Sequence, residues 1–324
     1  MSFFFTLYTP RRLKVLLALF LTTVLYACKT PNITKKDNHQ CTDARFYFKS
    51  TFEGNIQITP PTTGKNGKWG QHIIGTDAKT GAKWPYDLPG NNDKSMFIYL
   101  ISEKEDPSTV VETSIVTTKG YDGRKTQTLY QEVKKGVKNQ DAKLARNQLN
   151  LINDPESMFQ DIRVSYKMKL QENLESVMPK NSWRQITEIR GVNNSYRIGL
   201  YINRRKTGGP LFWKIQGQQG PEWKKQRPDW IQTTLNETRK KNEIEIPLGE
   251  WFRIEFHLVS DKNGNGQFVC TINDKRLINQ VGKVSTQKGF ISWHIFKTYA
   301  SLNALNAGAH YQWIDDVEIE VRNP

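Results

Sequence analysis

Hydrophobic and polar residues alternate with a period of two through much of the chain after Arg45. Ile162, Val164, Tyr166, Met168 and Leu170 interleave with Arg163, Ser165, Lys167 and Lys169, which predicts a strand with one buried and one basic face. The same alternation runs through Tyr196–Asn203 and Trp251–Leu258. It resumes over Phe268–Ile272, after the turn-forming run Asp261-Lys262-Asn263-Gly264-Asn265-Gly266, and again at Val317, Ile319 and Val321. Short strands separated by turns predict an all-β antiparallel sandwich or barrel. The missing strand–helix rhythm argues against a parallel α/β sheet. Gln131–Ile152 alone reads as helix, a polar excursion that carries Gly136. Lys206–Glu243 is aperiodic and holds Trp213, Trp223 and Trp230 beside Lys224, Lys225 and Arg227. A long basic, aromatic segment of that kind predicts a functional loop. No internal repeat is present, so residues 45–324 are expected to form one domain.

The first residues depart from this pattern. Arg11, Arg12 and Lys14 precede the apolar run Val15–Ala27, and Cys28 follows Leu25-Tyr26-Ala27. Basic, apolar and small residues in that order predict a secretory signal over residues 1–27. The Leu-x-Ala-Cys ending resembles the lipobox of bacterial lipoproteins, which implies a lipid on Cys28 and a membrane anchor in the cell envelope. A plain signal peptide with an incidental cysteine is the alternative. Residues 28–44 are polar and aperiodic and read as a tether. Three cysteines are too few for a disulfide scaffold. Cys41 and Cys270 either pair or stand as a free thiol and a buried one.

Composition adds a partner class. Lys and Arg number 47 against 32 Asp and Glu, a net charge of +15, and +12 remains without the three basic residues of the signal. Such an excess predicts an anionic partner. On an exported chain it points to an acidic polysaccharide or an envelope surface and away from nucleic acid. A monomer is expected. After residue 30 no stretch is long and apolar enough to span a bilayer.

Three short motifs then carry a resemblance. Thr187-Glu188-Ile189-Arg190 matches four positions of an Arg-Thr-Glu-Leu-Arg strand, with Ile186 in place of the leading Arg. Phe296-Lys297 followed by Tyr299 is similar to a late Tyr-Phe-Lys-Ala-Gly-x-Tyr strand, with a shortened spacing. Trp213-Lys214-Ile215-Gln216-Gly217 stands where a Gln-Ile-His strand would, with Lys214 for the Gln and Gln216 for the His. Over Phe159–Val321 the chain thus resembles the concanavalin A-like jelly-roll polysaccharide lyases: alginate, glucuronan and heparin lyase I-like enzymes. The resemblance implies a jelly-roll sandwich that cleaves a uronic-acid polysaccharide by β-elimination. In similar families Arg, Gln or Asn neutralises the carboxylate, while His or Tyr moves the protons. Arg190 and Gln216 are the neutralisers expected here, and Tyr299 the base and acid, with Lys297 or Arg190 favouring its ionised form. In the absence of the middle-strand His, either Tyr299 does both tasks, His294 or His257 substitutes, or the domain only binds.

Period two independently groups Arg184, Glu188 and Arg190 on one strand face, and Arg197, Tyr201 and Asn203 on the next. Lys214 and Gln216 share a third face, and Trp293, Lys297 and Tyr299 a fourth, which leaves His294 toward the core. Arg184, Glu188, Arg197, Tyr201, Lys214, Trp293 and Lys297 are therefore the expected substrate-binding residues, cations for carboxylates and rings for sugar C–H faces. They could equally be ordinary outer-face residues of a sheet. The paired-carboxylate E-x-D-x-x-E strand of retaining hydrolases is missing. No cofactor is required, with a structural calcium ion at Glu53 and Asp316 as an option, set against plain surface carboxylates. Asp261–Gly266 lacks the twelfth-position Glu of a calcium loop and reads as a hairpin. The leading function is a surface-tethered lyase, and the alternative a lipoprotein that captures acidic glycans.

Overall fold

Two antiparallel sheets take up the strands that period two predicts, and the alternation decides which side of each strand meets the other layer. The structure, a computed structural model, describes residues 44–63, 68–90, 97–100, 105–138, 144–152, 159–191, 195–219, 231–233, 244–261, 263, 265–282, 284–285 and 292–322. The signal segment, most of the tether with Cys28 and Cys41, and Trp223 and Trp230 lie outside the described residues.

Strands are numbered in chain order. An eight-stranded sheet holds β1 (Ala44–Ser50), β8 (Val111–Lys119), β9 (Lys125–Val133), β11 (Asp161–Leu170), β16 (Trp251–Val259), β17 (Gly266–Ile272), β18 (Lys275–Gly282) and β20 (His310–Arg322). Its order is β18-β17-β16-β11-β20-β9-β8. One edge of β20 pairs first with β9, over His310–Ile314, and then with β1, over Val317–Arg322. A nine-stranded sheet holds β3 (Thr62–Thr63), β4 (Lys68–Gln71), β7 (Phe97–Leu100), β10 (Asn147–Ile152), β12 (Trp183–Arg190), β13 (Tyr196–Arg205), β14 (Gly208–Gln219), β15 (Ile231–Thr233) and β19 (Ser292–Ala300). Its order is β15-β14-β13-β12-β19-β10-β7-β4-β3. A small third sheet joins β2 (Gln57–Ile58), β5 (Ile73–Thr76) and β6 (Lys83–Trp84).

The core lies between the two large sheets. Tyr166 of β11 meets Phe296 of β19 at 4.9 Å, Phe256 of β16 meets Trp293 of β19 at 5.9 Å, and Trp213 of β14 meets Phe252 of β16 at 6.1 Å. Each such buried side chain stabilises the fold by about 1.5–3 kcal/mol. Cys270 is a buried thiol of this core. Asn273 and Asp274, both at positive φ, form the two-residue turn between β17 and β18, as a primed hairpin turn requires. Asp261 accepts from the backbone N–H of Asn263 and Asn265, so Asp261–Gly266 is the expected β16–β17 hairpin.

The helix expected over Gln131–Ile152 does not form. Gln131–Val133 end β9, Lys138 bridges Leu144, and Asn147–Ile152 are β10. Polar residues that mimicked a solvated helix face are interior hydrogen-bond partners instead. Arg184 donates to Gln312 Oε1, Gln312 to Gln131, Gln131 to Asn147, and Asn147 to the Thr113 hydroxyl. Burial of such groups is tolerated because each finds a partner. The α-helices among the described residues are α1 (Pro107–Val110), capped by Asp106, and α2 (Leu302–Ala307). The segment read as aperiodic, Lys206–Glu243, contributes β14 and β15. Among the described residues no helix is long and apolar enough to cross a membrane.

Candidate active site

The nine-stranded sheet turns one side to the core and the other away from it. On the far side, β10, β12, β13, β14 and β19 bring charged and aromatic side chains together. Two bulges set their phase. Between Gln185 and Thr187, β12 slips by one residue against β13, so Ile186 and Ile189 both reach the core although three apart. Between Phe296 and His294, β19 slips against β10, so Trp293 and Phe296 both reach the core. His294 and Lys297 are thereby placed together on the far side, where both contact Glu188.

Glu188 is the centre of the cluster, 1% exposed. Its Oε1 accepts from the Arg197 guanidinium. Its Oε2 accepts from the Lys297 ammonium and lies 3.1 Å from His294 Nδ1. Burial opposes its ionisation, but Lys297, Arg197 and His294 outweigh burial and hold the carboxyl well below the ordinary range. Burial pushes Lys297 down to about 7, with Glu188 opposing and Arg146 and Arg197 adding to the shift. Burial, with the Lys297 and Arg190 charges, pushes His294 down to about 3, which leaves a neutral imidazole.

Around this centre lie two further cations, Arg146 and Arg190, which have no carboxylate partner among the described residues and keep a buried, unpaired Nε. The Arg146 guanidinium sits 4.6 Å over the Tyr299 ring, and Lys297 Nζ lies 5.2 Å from the same ring. Trp183 presses its edge on Tyr299 at 5.0 Å and on Tyr201 at 6.0 Å. Gln185 donates to the Tyr201 hydroxyl at 3.0 Å. That close pair depends on Gly199, where a Cβ would stand 2.8 Å from the Tyr201 hydroxyl and 2.9 Å from Gln185 Nε2. Lys214 faces Tyr201, and Gln216 faces Gly199, from the neighbouring strand. Gln148 donates to Asn150 at 2.9 Å and keeps a buried, unpartnered Oε1.

Of the expected site residues, Glu188, Arg190, Arg197, Tyr201, Lys214, Gln216, Lys297 and Tyr299 belong to this face. Arg184 and Trp293 do not. Arg184 points to the other side, where it donates to Gln171, to the Tyr311 carbonyl and to Gln312. Trp293 lies in the core and donates to Thr187 Oγ1. The bulges are the reason, since strict alternation carried across them inverts every residue on one side. For the same reason His294, expected in the core, faces Glu188. Sequence reasoning missed Arg146, Gln148, Asn150, Trp183 and Gln185. Three of these lie in the segment misread as helix, and Trp183 and Gln185 were one residue out of phase with Arg184.

His257 sits on the opposite face of the molecule, 2.8 Å from Asp161. A cavity of about 340 Å³ there is lined by Arg163, Arg253, Glu255 and His257 among others. Its Arg253–Glu255 ion pair, at 2.7 Å, joins two residues of the same strand, β16, on the sheet's outer surface. Glu53 and Asp316 are each already engaged by a lysine, Lys79 at 3.0 Å and Lys167 at 2.5 Å. Among the described residues no three His, Cys, Asp or Glu side chains converge as a metal site.

No family model and no curated protein matches the chain. Among solved structures it is similar to alginate lyase Aly36B in complex with alginate trisaccharide, with 11% identity, a TM-score of 0.45, and 67% of this chain and 86% of that one covered. It is similar also to the endo-β-1,4-glucuronan lyase of the fungus Trichoderma reesei, with 9% identity, a TM-score of 0.41, and 65% and 87% covered. The Chlorella virus alginate lyase vAL-1 gives 11% identity and a TM-score of 0.41 over 66% of this chain and 93% of that one.

Proposed function

We propose that the chain is a polysaccharide lyase that cleaves a uronic-acid polysaccharide by β-elimination. One observation carries the reading: among the described residues Arg146, Arg190, Arg197 and Lys297 surround a single carboxylate, Glu188, and two of the four, Arg146 and Arg190, make no ion pair with it. A buried excess of positive charge is costly without an anion to offset it, and a substrate carboxylate is that anion. Trp183, Tyr201 and Tyr299 supply the ring faces that cover sugar C–H surfaces.

In β-elimination the C5 proton leaves to a base, the C4–O bond breaks with its electron pair passing to the leaving oxygen, and that oxygen takes a proton. Arg190 and Gln216, now joined by Arg146, neutralise the carboxylate and make the C5 proton acidic. Tyr299, between Arg146 and Lys297, is the proton-transfer group: its phenolate oxygen takes the C5 proton, and the resulting phenol returns a proton to the leaving oxygen. Lys214 and Tyr201 line the neighbouring strands and hold the chain. Charge neutralisation falls to arginines, so no metal is called on. Cys28 would carry the lipid that keeps the enzyme at the cell envelope.

The alternative is a non-catalytic capture protein. Gln216 favours it, since it stands where the lyases of the resemblance carry His. The deciding assay incubates the chain with alginate, glucuronan and glycosaminoglycans and follows ultraviolet absorbance of the unsaturated uronate. A rise with one polymer is expected. No rise with any, together with retardation of one in an affinity gel, would establish the capture protein.

A further inference from the structure

The far face of the nine-stranded sheet is rich in hydrogen-bond donors and short of acceptors. Arg146, Arg190, Arg197 and Lys297 only donate, and Glu188 already accepts from three partners on two strands. A sugar presents hydroxyl hydrogens as well as a carboxylate, so such a face needs free acceptors. Besides the buried Gln148 Oε1, His294 offers one. Its Nδ1 lies 3.1 Å from Glu188 Oε2, and a carboxylate can only accept. A neutral imidazole that gives its one N–H to Glu188 keeps its lone pair on Nε2. Among the described residues nothing hydrogen-bonds Nε2. The groups that face the ring are Glu188 and Arg190 on β12, Lys297 on its own strand and the uncharged Asn150 across on β10, with Arg146 and Arg197 beyond Glu188.

Resting on the lyase reading, we propose that Glu188 is a positioning residue that holds His294 in its neutral Nδ1–H form. His294 Nε2 then serves as a fixed acceptor for a hydroxyl of the uronate sugar, and not as the base that removes its proton. The burial that leaves the ring neutral also makes it a poor base, whereas acceptance of a hydroxyl needs no change of charge. The specificity that follows is for the orientation of one sugar hydroxyl, independent of the carboxylate that the arginines bind.

Two measurements test this. In ¹⁵N spectra of the full chain from pH 5 to 9, His294 is expected to show a protonated Nδ1 and a proton-free Nε2 throughout. The reverse tautomer, or an imidazolium that titrates near the ordinary histidine value, overturns the proposal. This readout needs no turnover, so it stands apart from any failure of the lyase reading. His294→Asn keeps a donor for Glu188 and removes the Nε2 acceptor. With alginate as substrate its KM is expected to rise about 3–10-fold with kcat within about twofold, the loss of one neutral hydrogen bond. A kcat loss of about 100-fold or more, with the acidic limb of the rate profile gone, makes His294 the base and sinks the proposal. Should alginate be bound but not cleaved, retardation in an alginate gel replaces KM, and equal retardation of the variant and the parent overturns it. Should His294→Asn fail to fold, the ¹⁵N spectra of the unaltered chain decide.

Discussion

Glu188→Gln keeps the size of the side chain and deletes the one negative charge that the described residues place among Arg146, Arg190, Arg197 and Lys297. The Glu188–Lys297 pair is buried, at 1% and 0% exposure, so solvent screens little of the loss. To break a buried ion pair by removing one partner costs about 3–5 kcal/mol. For a domain of this length that lowers the thermal midpoint by about 5–9 °C. The pH dependence has a definite sign. Burial holds the folded Lys297 at about 7, below its ordinary value of 10.5, so the folded state is penalised while the ammonium is charged. Between those values the unfolded chain binds more protons than the folded one, and this group's contribution to stability rises with pH. Glutamine removes the charge that offsets the penalty, so the variant's deficit is largest where Lys297 must be protonated. Thermal melts of parent and variant at pH 6 and pH 9 measure it. The variant should trail at both, and by more at pH 6. Equal midpoints at pH 6, or a deficit that grows from pH 6 to pH 9, would refute the ion-pair reasoning.

Tyr299→Phe should abolish product absorbance while an affinity gel still retards the protein; equal loss of both would make Tyr299 a binding residue only. Arg184→Leu should destabilise by about 1–3 kcal/mol, because Gln171 and Gln312 lose a buried donor. The folded variant should keep its KM, and a raised KM would return Arg184 to the substrate face.

The parts of the fold that the sequence made legible are those where alternation is unbroken. Strands β11, β13, β16 and β17 bury the residues that period two selects, from Ile162 to Leu170 and from Phe252 to Leu258. Strands β12 and β19 were recognised as site strands through Glu188, Arg190, Lys297 and Tyr299, but not their phase. A bulge adds one residue without any mark in composition, so Arg184 and Trp293 were drawn to the site and His294 out of it. Strand β10 was illegible for another reason. Asn147, Gln148 and Asn150 are polar and buried, and local pattern cannot tell a residue that faces an interior donor from one that faces water. Arg146, the guanidinium over Tyr299, was lost with that strand.

Strand β20 has one more consequence. Its last residues pair antiparallel with β1, and Ala44 stands opposite Arg322. Cα atoms so paired lie about 5 Å apart, so the entry and exit of the sandwich are neighbours. A linker of a few residues could join them, and fresh ends could be opened at the β17–β18 turn between Asn273 and Asp274. Such a circular permutant would keep β10, β12, β13 and β14 of the Glu188 face in their order and carry β19 ahead of them. Mechanically, a pull applied through a tether at Ala44 against an anchored Arg322 loads the β1–β20 hydrogen bonds one after another. That is the peeling geometry, in which an edge strand detaches under low force while the layers that carry the site stay closed.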